Sequence, residues 1–197
     1  KKNLVDKIKK QRIYNSNLFY SLNEKIVGES TSSKINKISK YLKKKNSDFI
    51  FVSAPENVAW ILNIRGSDNP NSPIPNCRLI IGKNKKLFLI SKKEKALKII
   101  KDKKLSKKQI INPKKFKDVI KKLKGDKFII DALSCSILNE NIIKSKFKII
   151  NKNDPCYKLK SIKNSSEIKH MINAHIEDGL ALTKFIFWIK NINKKKI

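Results

Sequence analysis

Apolar positions set out the elements before any other property is considered. Ile35, Ile38, Tyr41 and Leu42 recur at helical spacing among lysines, behind the cap candidates Ser30-Thr31-Ser32-Ser33, and predict an amphipathic helix over 33–45. Asp48–Val52 (DFIFV) is a short continuous apolar run, suited to a buried strand. Pro55-Glu56 opens a second helix carrying Val58, Ala59, Ile61 and Leu62, since Pro at the first position and an acid in the first turn both favour a helix start. Arg78–Ile81 and Leu87–Ile90 flank Gly82-Lys83-Asn84 and read as an antiparallel pair. Further helices are predicted around 92–103, from Pro113 to a stop at Gly125, and over 133–144, with strands at 128–130 and 147–150. Short apolar runs alternating with amphipathic helices define an α/β fold with a central mixed sheet flanked by helices.

Two stretches depart from that rhythm. Gly66–Asn76 (GSDNPNSPIPN) holds three of the six prolines, so it must be a loop. Beyond Asp154-Pro155 a single stripe, Ile168, Ile172, His175, Gly179, Leu182, Ile186 and Ile189, runs at alternating steps of four and three. A helix of about 25 residues, ~38 Å long, fits it. Such a helix is too long to close the preceding domain, and its stripe is expected to be exposed. Residues 1–28 read as a linker from an upstream domain, 29–152 as the sheet domain, and 153–197 as the truncated start of a following one. The chain starts without Met and stops just after a helical pattern, so we expect an internal piece of a longer protein.

Charge changes the picture less than its size suggests. The formal net charge is +31, yet only three of the 47 basic residues are Arg (Arg12, Arg65, Arg78). Lys, Asn and Ile together supply 97 of 197 residues, as A/T-rich codons would produce. The lysines are spread along the chain, whereas a nucleic-acid site shows a localised stripe and uses Arg for bidentate contacts. No specific nucleic-acid partner is expected, and no apolar run reaches the ~18–20 residues that span a bilayer. Three separated Cys read as reduced thiols in a cytoplasmic protein.

Catalytic constellations are scarce. His170 and His175, five apart, project about 140° from each other on a helix and cannot share a metal. His175 lies on the apolar stripe and reads as a hydrogen-bonded core or interface side chain. Asp126 and Asp131 read as solvated strand ends. We find no phosphate loop, nucleophile elbow or zinc-protease motif in the sequence. We assign no catalytic or metal-ligating residue.

Longer stretches carry a resemblance. Ala54–Asp68 (APENVAWILNIRGSD), followed by Asn71-Ser72-Pro73-Ile74, resembles the second domain of three-domain aminopeptidase P, the Xaa-Pro aminopeptidases of peptidase family M24. Leu159–Asn164, Glu167, Ala174–Gly179 and Trp188 resemble the beginning of that family's catalytic domain, and Asn3-Leu4-Val5-Asp6 its first interdomain connector. The resemblance implies a creatinase N-terminal-like domain followed by the first helix of a pita-bread catalytic domain. It implies a metal-dependent hydrolase that releases the N-terminal residue before proline, with two divalent ions, Mn or Zn, and a homodimer built through the catalytic domain. The ligands would lie downstream of this segment, leaving the segment itself inert. Metal-free pita-bread relatives that bind peptides or histones are the alternative.

Within the resembling loop, Arg65 stands out as an Arg kept in a Lys-biased chain, which points to a need for its planar fork. Arg65 and Asp68 are assigned as candidate substrate-binding residues, in contact with the peptide or the catalytic domain's rim. A local Arg65–Asp68 ion pair bracing the turn is the competing reading. Trp60 reads as a core aromatic.

Overall fold

A computed structural model describes residues 17–69 and 71–192. The connector motif at Asn3–Asp6 and the last five residues, 193–197, lie outside the described residues. In chain order come β1 (Tyr20–Ser21), α1 (Glu24–Val27), α2 (Thr31–Lys44), β2 (Phe49–Val52), α3 (Pro55–Leu62), β3 (Ile64–Arg65), β4 (Arg78–Gly82) and β5 (Leu87–Ile90). They are followed by α4 (Leu97–Lys101), β6 (Ile110–Ile111), α5 (Phe116–Lys122), β7 (Lys127–Ile130), α6 (Ile137–Lys144), β8 (Lys148–Asn151), α7 (Pro155–Ser161) and α8 (Ser165–Asn191).

Six strands form one mixed sheet in the order β6-β5-β4-β2-β7-β8. The β2–β4 and β4–β5 pairs are antiparallel; β2–β7, β7–β8 and β5–β6 are parallel. The central β2 is buried along its whole length, which explains why its sequence is apolar without alternation. Its residues still divide between two cores. Ile50 and Val52 face α2, α3 and α4, meeting Ile38, Leu42, Val58, Ile61 and Ile99. Phe49 and Phe51 face α5 and α6, where Phe49 and Phe128 stack at 5.3 Å between ring centroids and Phe147 meets Phe128 edge-on at 5.2 Å.

Several elements begin where local hydrogen bonds dictate. Asn112 accepts from the Lys114 amide, and Pro113 leads through one 3₁₀ turn into α5. The predicted helix over 133–144 starts only at Ile137, because Asp131 captures the preceding turn. Its carbonyl accepts from Ser134 and Cys135 and its carboxylate from Leu133. The predicted 92–103 helix is a 3₁₀ turn at Glu94–Ala96 continued by the short α4.

Residues 18–28 are held against the sheet domain. Phe19 is fully buried and its amide donates to the Lys95 carbonyl. β1 pairs with β3 in a separate two-stranded antiparallel sheet, Tyr20 opposite Arg65. At the far end, Asp154 caps α7 and Cys156 is buried beside α3, so α7 shares the first core.

The last helix, α8, starts in a capping box: Asn164 accepts from the Glu167 amide at 3.0 Å and Glu167 from the Asn164 amide at 2.9 Å. Asn164 also donates through Nδ2 to the Val27 carbonyl at 2.9 Å. The neighbouring Gly28 has φ +71°, and a Cβ there would sit 2.2 Å from Asn164 Oδ1, so only glycine lets the two segments meet. Beyond that root α8 stands free of the sheet. Ile168, Ile172, Leu182 and Ile189 are 49%, 55%, 58% and 49% exposed, as the stripe led us to expect. His175, expected on a packed face, is exposed as well, because that face meets nothing among the described residues. None of the described helices is long and apolar enough to cross a membrane.

Candidate functional site

The Ala54–Asp68 stretch places α3, a sharp turn and β3 in succession. Ala54 and Pro55 start α3, and Asn63 ends it in the left-handed region at φ 51°. An Asn tolerates that conformation better than a branched residue, and here its amide also has partners. Asn63 Nδ2 donates to the Glu29 carbonyl at 2.8 Å, and Oδ1 accepts from Lys34 Nζ at 2.6 Å. Lys34 reaches in from α2, donates to the Trp60 carbonyl at 2.9 Å and lies 4.4 Å from the centre of the Trp60 ring. Trp60 packs on the first core, as expected of it.

Lys34 is almost wholly buried. Burial pulls its pKa down to about 8, against a partial counter-pull from Glu29 and Glu167. Neither Lys34 nor Asn63 was singled out in the sequence. A lysine in a chain holding 44 of them carries no signal by itself; its place on the Ile35 and Ile38 side of α2 was the available clue.

Arg65 leaves this turn half-buried on β3. Its guanidinium donates to the carbonyls of Ile64 at 2.9 Å and, at the limit of bonding distance, Ala59 at 3.5 Å. Burial lowers its pKa somewhat. Asp68 does not face it. The Asp68 carboxylate pairs with Lys95 through Oδ1 and accepts from the Asn76 amide through Oδ2 at 2.6 Å. The local Arg65–Asp68 ion pair is therefore absent among the described residues. Asp68 instead ties the two ends of the Pro-rich loop together and joins them to the turn before α4. Gly66 donates to the Pro73 carbonyl at 3.1 Å across the same loop. Its Cβ would come within 2.9 Å of Pro75, so glycine is required by that close approach.

A second polar group lies behind α3. Asn57, fully buried in the same stretch, donates to Asp154 at 2.8 Å and accepts from Lys160 at 2.6 Å. Asp154 accepts from Cys156 at 2.9 Å and donates its amide to Asp131 at 2.9 Å. Asp131 is thus a buried member of a network that fastens α7 to α3 and β7, and not the solvated strand end expected of it; Asp126 remains exposed. Every carboxylate oxygen in this chain of bonds has a protein donor, which reads as an architectural joint.

Nucleophile and metal chemistry find no footing here. The three thiols are free and buried, and burial raises all of their pKa values, that of Cys135 to about 11. No three His, Cys, Asp or Glu side chains gather into a metal-holding group among the described residues. The residues described do not fit a pair of divalent ions.

Comparison with known proteins places this arrangement. The family model described as the creatinase/prolidase N-terminal domain matches residues 10–167. The chain is 30% identical over 205 residues to Xaa-Pro aminopeptidase 1 of Dictyostelium discoideum, covering 95% of this chain and 31% of that protein. It is 30% identical over 200 residues to the Xaa-Pro aminopeptidase ApepP of Drosophila melanogaster, covering 98% and 32%. The chain thus spans about a third of the length of the curated relatives it matches. Among solved structures, the X-prolyl aminopeptidase of Caenorhabditis elegans, a cytosolic enzyme with a di-nuclear active site, superposes with a TM-score of 0.81 at 23% identity, over 96% of this chain and 32% of that one. At that identity the superposition speaks for the fold. The fold and the residue-by-residue match over most of its length together show that this chain belongs to the creatinase/prolidase N-terminal domain family.

Proposed function

We propose that the chain is the middle portion of a metal-dependent Xaa-Pro aminopeptidase, carrying a creatinase N-terminal-like domain over 29–152 and the opening of a pita-bread catalytic domain from 153. One observation carries this reading: two Xaa-Pro aminopeptidases align with 95–98% of the chain, through the sheet domain and on into α8. The matched relatives are peptidases, which favours this reading over a metal-free binding module. The complete protein would hydrolyse the bond before proline using two divalent ions, Mn or Zn, held by residues beyond those described. It would work in the cytoplasm as a homodimer.

In this reading the Ile64–Asn76 loop forms a wall of the peptide site. Arg65 spends donors on two backbone carbonyls and keeps the rest of its five-donor fork for a peptide carbonyl or the catalytic domain's rim. Asp68, with both oxygens engaged, acts on substrate by fixing the loop's shape.

The test is an assay of the complete, metal-loaded protein on Xaa-Pro peptides, with and without chelator. Chelator-sensitive release of the residue before proline is expected, and none from the 197-residue chain alone with or without Mn²⁺. A folded, metal-loaded complete protein that leaves such peptides intact overturns the proposal.

A further inference from the structure

We infer that the sheet domain carries a small oxyanion site, independent of the peptidase reading, at the end of the sheet where β4 begins and β5 stops. A cavity of about 180 Å³ opens there, lined by Arg78, Ser91, Lys92, Lys95, Asp68 and Asn76. The volume is below the ~300–1,000 Å³ of drug-sized pockets and suits a phosphate or a short carboxylate.

The positions follow from the strand register. Arg78 opens β4 directly opposite Ile90, the last residue of β5, and Ser91 comes next. Ser91 is held there by its amide, which donates to the Ile111 carbonyl at 3.0 Å. The residue is 2% exposed, yet its hydroxyl has no hydrogen-bond partner among the described residues. That hydroxyl is sealed off from the cavity as well, so Ser91 contributes only wall there and the polar contacts fall to the side chains around it.

Arg78 is the observation that carries the site. It is half-buried and makes neither a hydrogen bond nor an ion pair among the described residues. In a chain that uses Lys nearly everywhere, its fork is bonded to no protein acceptor among the described residues, and such a fork suits two oxygens of one anion. Lys92 adds a second positive charge at the rim. The one carboxylate present does not oppose binding strongly, because Asp68 is already neutralised by Lys95 and bonded to the Asn76 amide. Phosphate and carboxylate share the required chemistry of paired, charged oxygens.

The 197-residue chain is titrated calorimetrically with phosphate and, separately, with acetate, at constant ionic strength high enough to suppress loose association with surface lysines. One saturable site per chain is expected, with phosphate favoured if a tetrahedral anion fits best and acetate if a planar one does. Arg78→Gln should weaken binding tenfold or more and Lys92→Gln severalfold. Lys108→Gln, on a neighbouring surface, should leave it unchanged. Arg78→Lys keeps the charge without the fork and should recover only part of the loss. Should Arg78→Gln fail to fold, Lys92→Gln against Lys108→Gln decides. Absence of a saturable site, or equal losses from Lys108→Gln and the cavity variants, overturns the inference.

Discussion

Replacing Lys34 with Met tests the joint on which the Arg65 turn is built. Met is close in length and apolar character but removes the ammonium that joins the Trp60 carbonyl to Asn63 Oδ1. The two acceptors left behind would each cost about 1–3 kcal/mol if nothing replaced the donor. Against this stands the removal of a buried charge, so the difference at neutral pH is a balance of two terms. The pH dependence isolates one of them. Lys34 holds a pKa of about 8 in the folded chain, depressed by burial from an ordinary 10.5. Between those values the unfolded chain binds more proton than the folded one, so raising pH through the window stabilises the fold. The full shift would yield roughly 2 kcal/mol between about pH 7 and about pH 9.5. Allowing for solvent screening, about 1–2 kcal/mol is expected. The buried thiols push the other way over the same range, since their folded pKa values are raised. They are common to both proteins and drop out of the comparison. Urea unfolding of wild type and Lys34→Met at the two pH values should show the stability of wild type relative to the variant rising by that amount. A difference that stays constant, or shrinks, would refute the depressed lysine.

Other perturbations follow from the same geometry. Asp68→Asn keeps the Asn76 bond but strands Lys95, and should cost about 3 kcal/mol by chemical unfolding, the order of a broken buried pair. Arg65→Lys in the complete protein should change peptide turnover with little loss in Tm if the fork meets substrate; a fall in Tm that accounts for the kinetic loss would reduce Arg65 to a brace. Asp48, held by Lys83 and the amides of Asp126 and Lys127, has its pKa lowered to about 2. Its stabilisation is present above its unfolded value near 4 and is lost as pH falls toward 2; in acid titrations Asp48→Asn should lack that component, about 1 kcal/mol after screening. The three thiols should react with a thiol reagent only as fast as the chain unfolds, which stopped-flow labelling against denaturant would show.

The sheet was readable where apolar runs were long enough to have a period. Phe49–Val52, Arg78–Gly82 and Leu87–Ile90 were legible as strands because both cores draw on them. β1, β3 and β6 were not, since two residues show neither alternation nor a run. The short helix over 24–27 and the start of α6 turn on single capping bonds that many Asn and Ser in this sequence could equally have made. The site was half legible. The Arg65 loop stood out by its residues, but the partner of Asp68 did not, because Lys95 is 27 positions away and is one lysine among many. Asp131 was misread for a related reason: its partner Asp154 lies across a crossover, and nothing local announces the contact.

The seating of Asn164 against Gly28 also sets a mechanical condition. A helix of 27 residues fixed at one end is a lever about 40 Å long. A tilt of roughly 5° at its root carries the tip about 3.5 Å, as far as a hydrogen bond can reach. Among the described residues, the aim of α8 therefore rests on its short link from α7 and on the few atoms between Val27, Gly28 and Asn164. A single methyl group added at Gly28 would be read out as a displacement of Trp188, more than thirty ångströms from where it was introduced by the rise per residue of the helix.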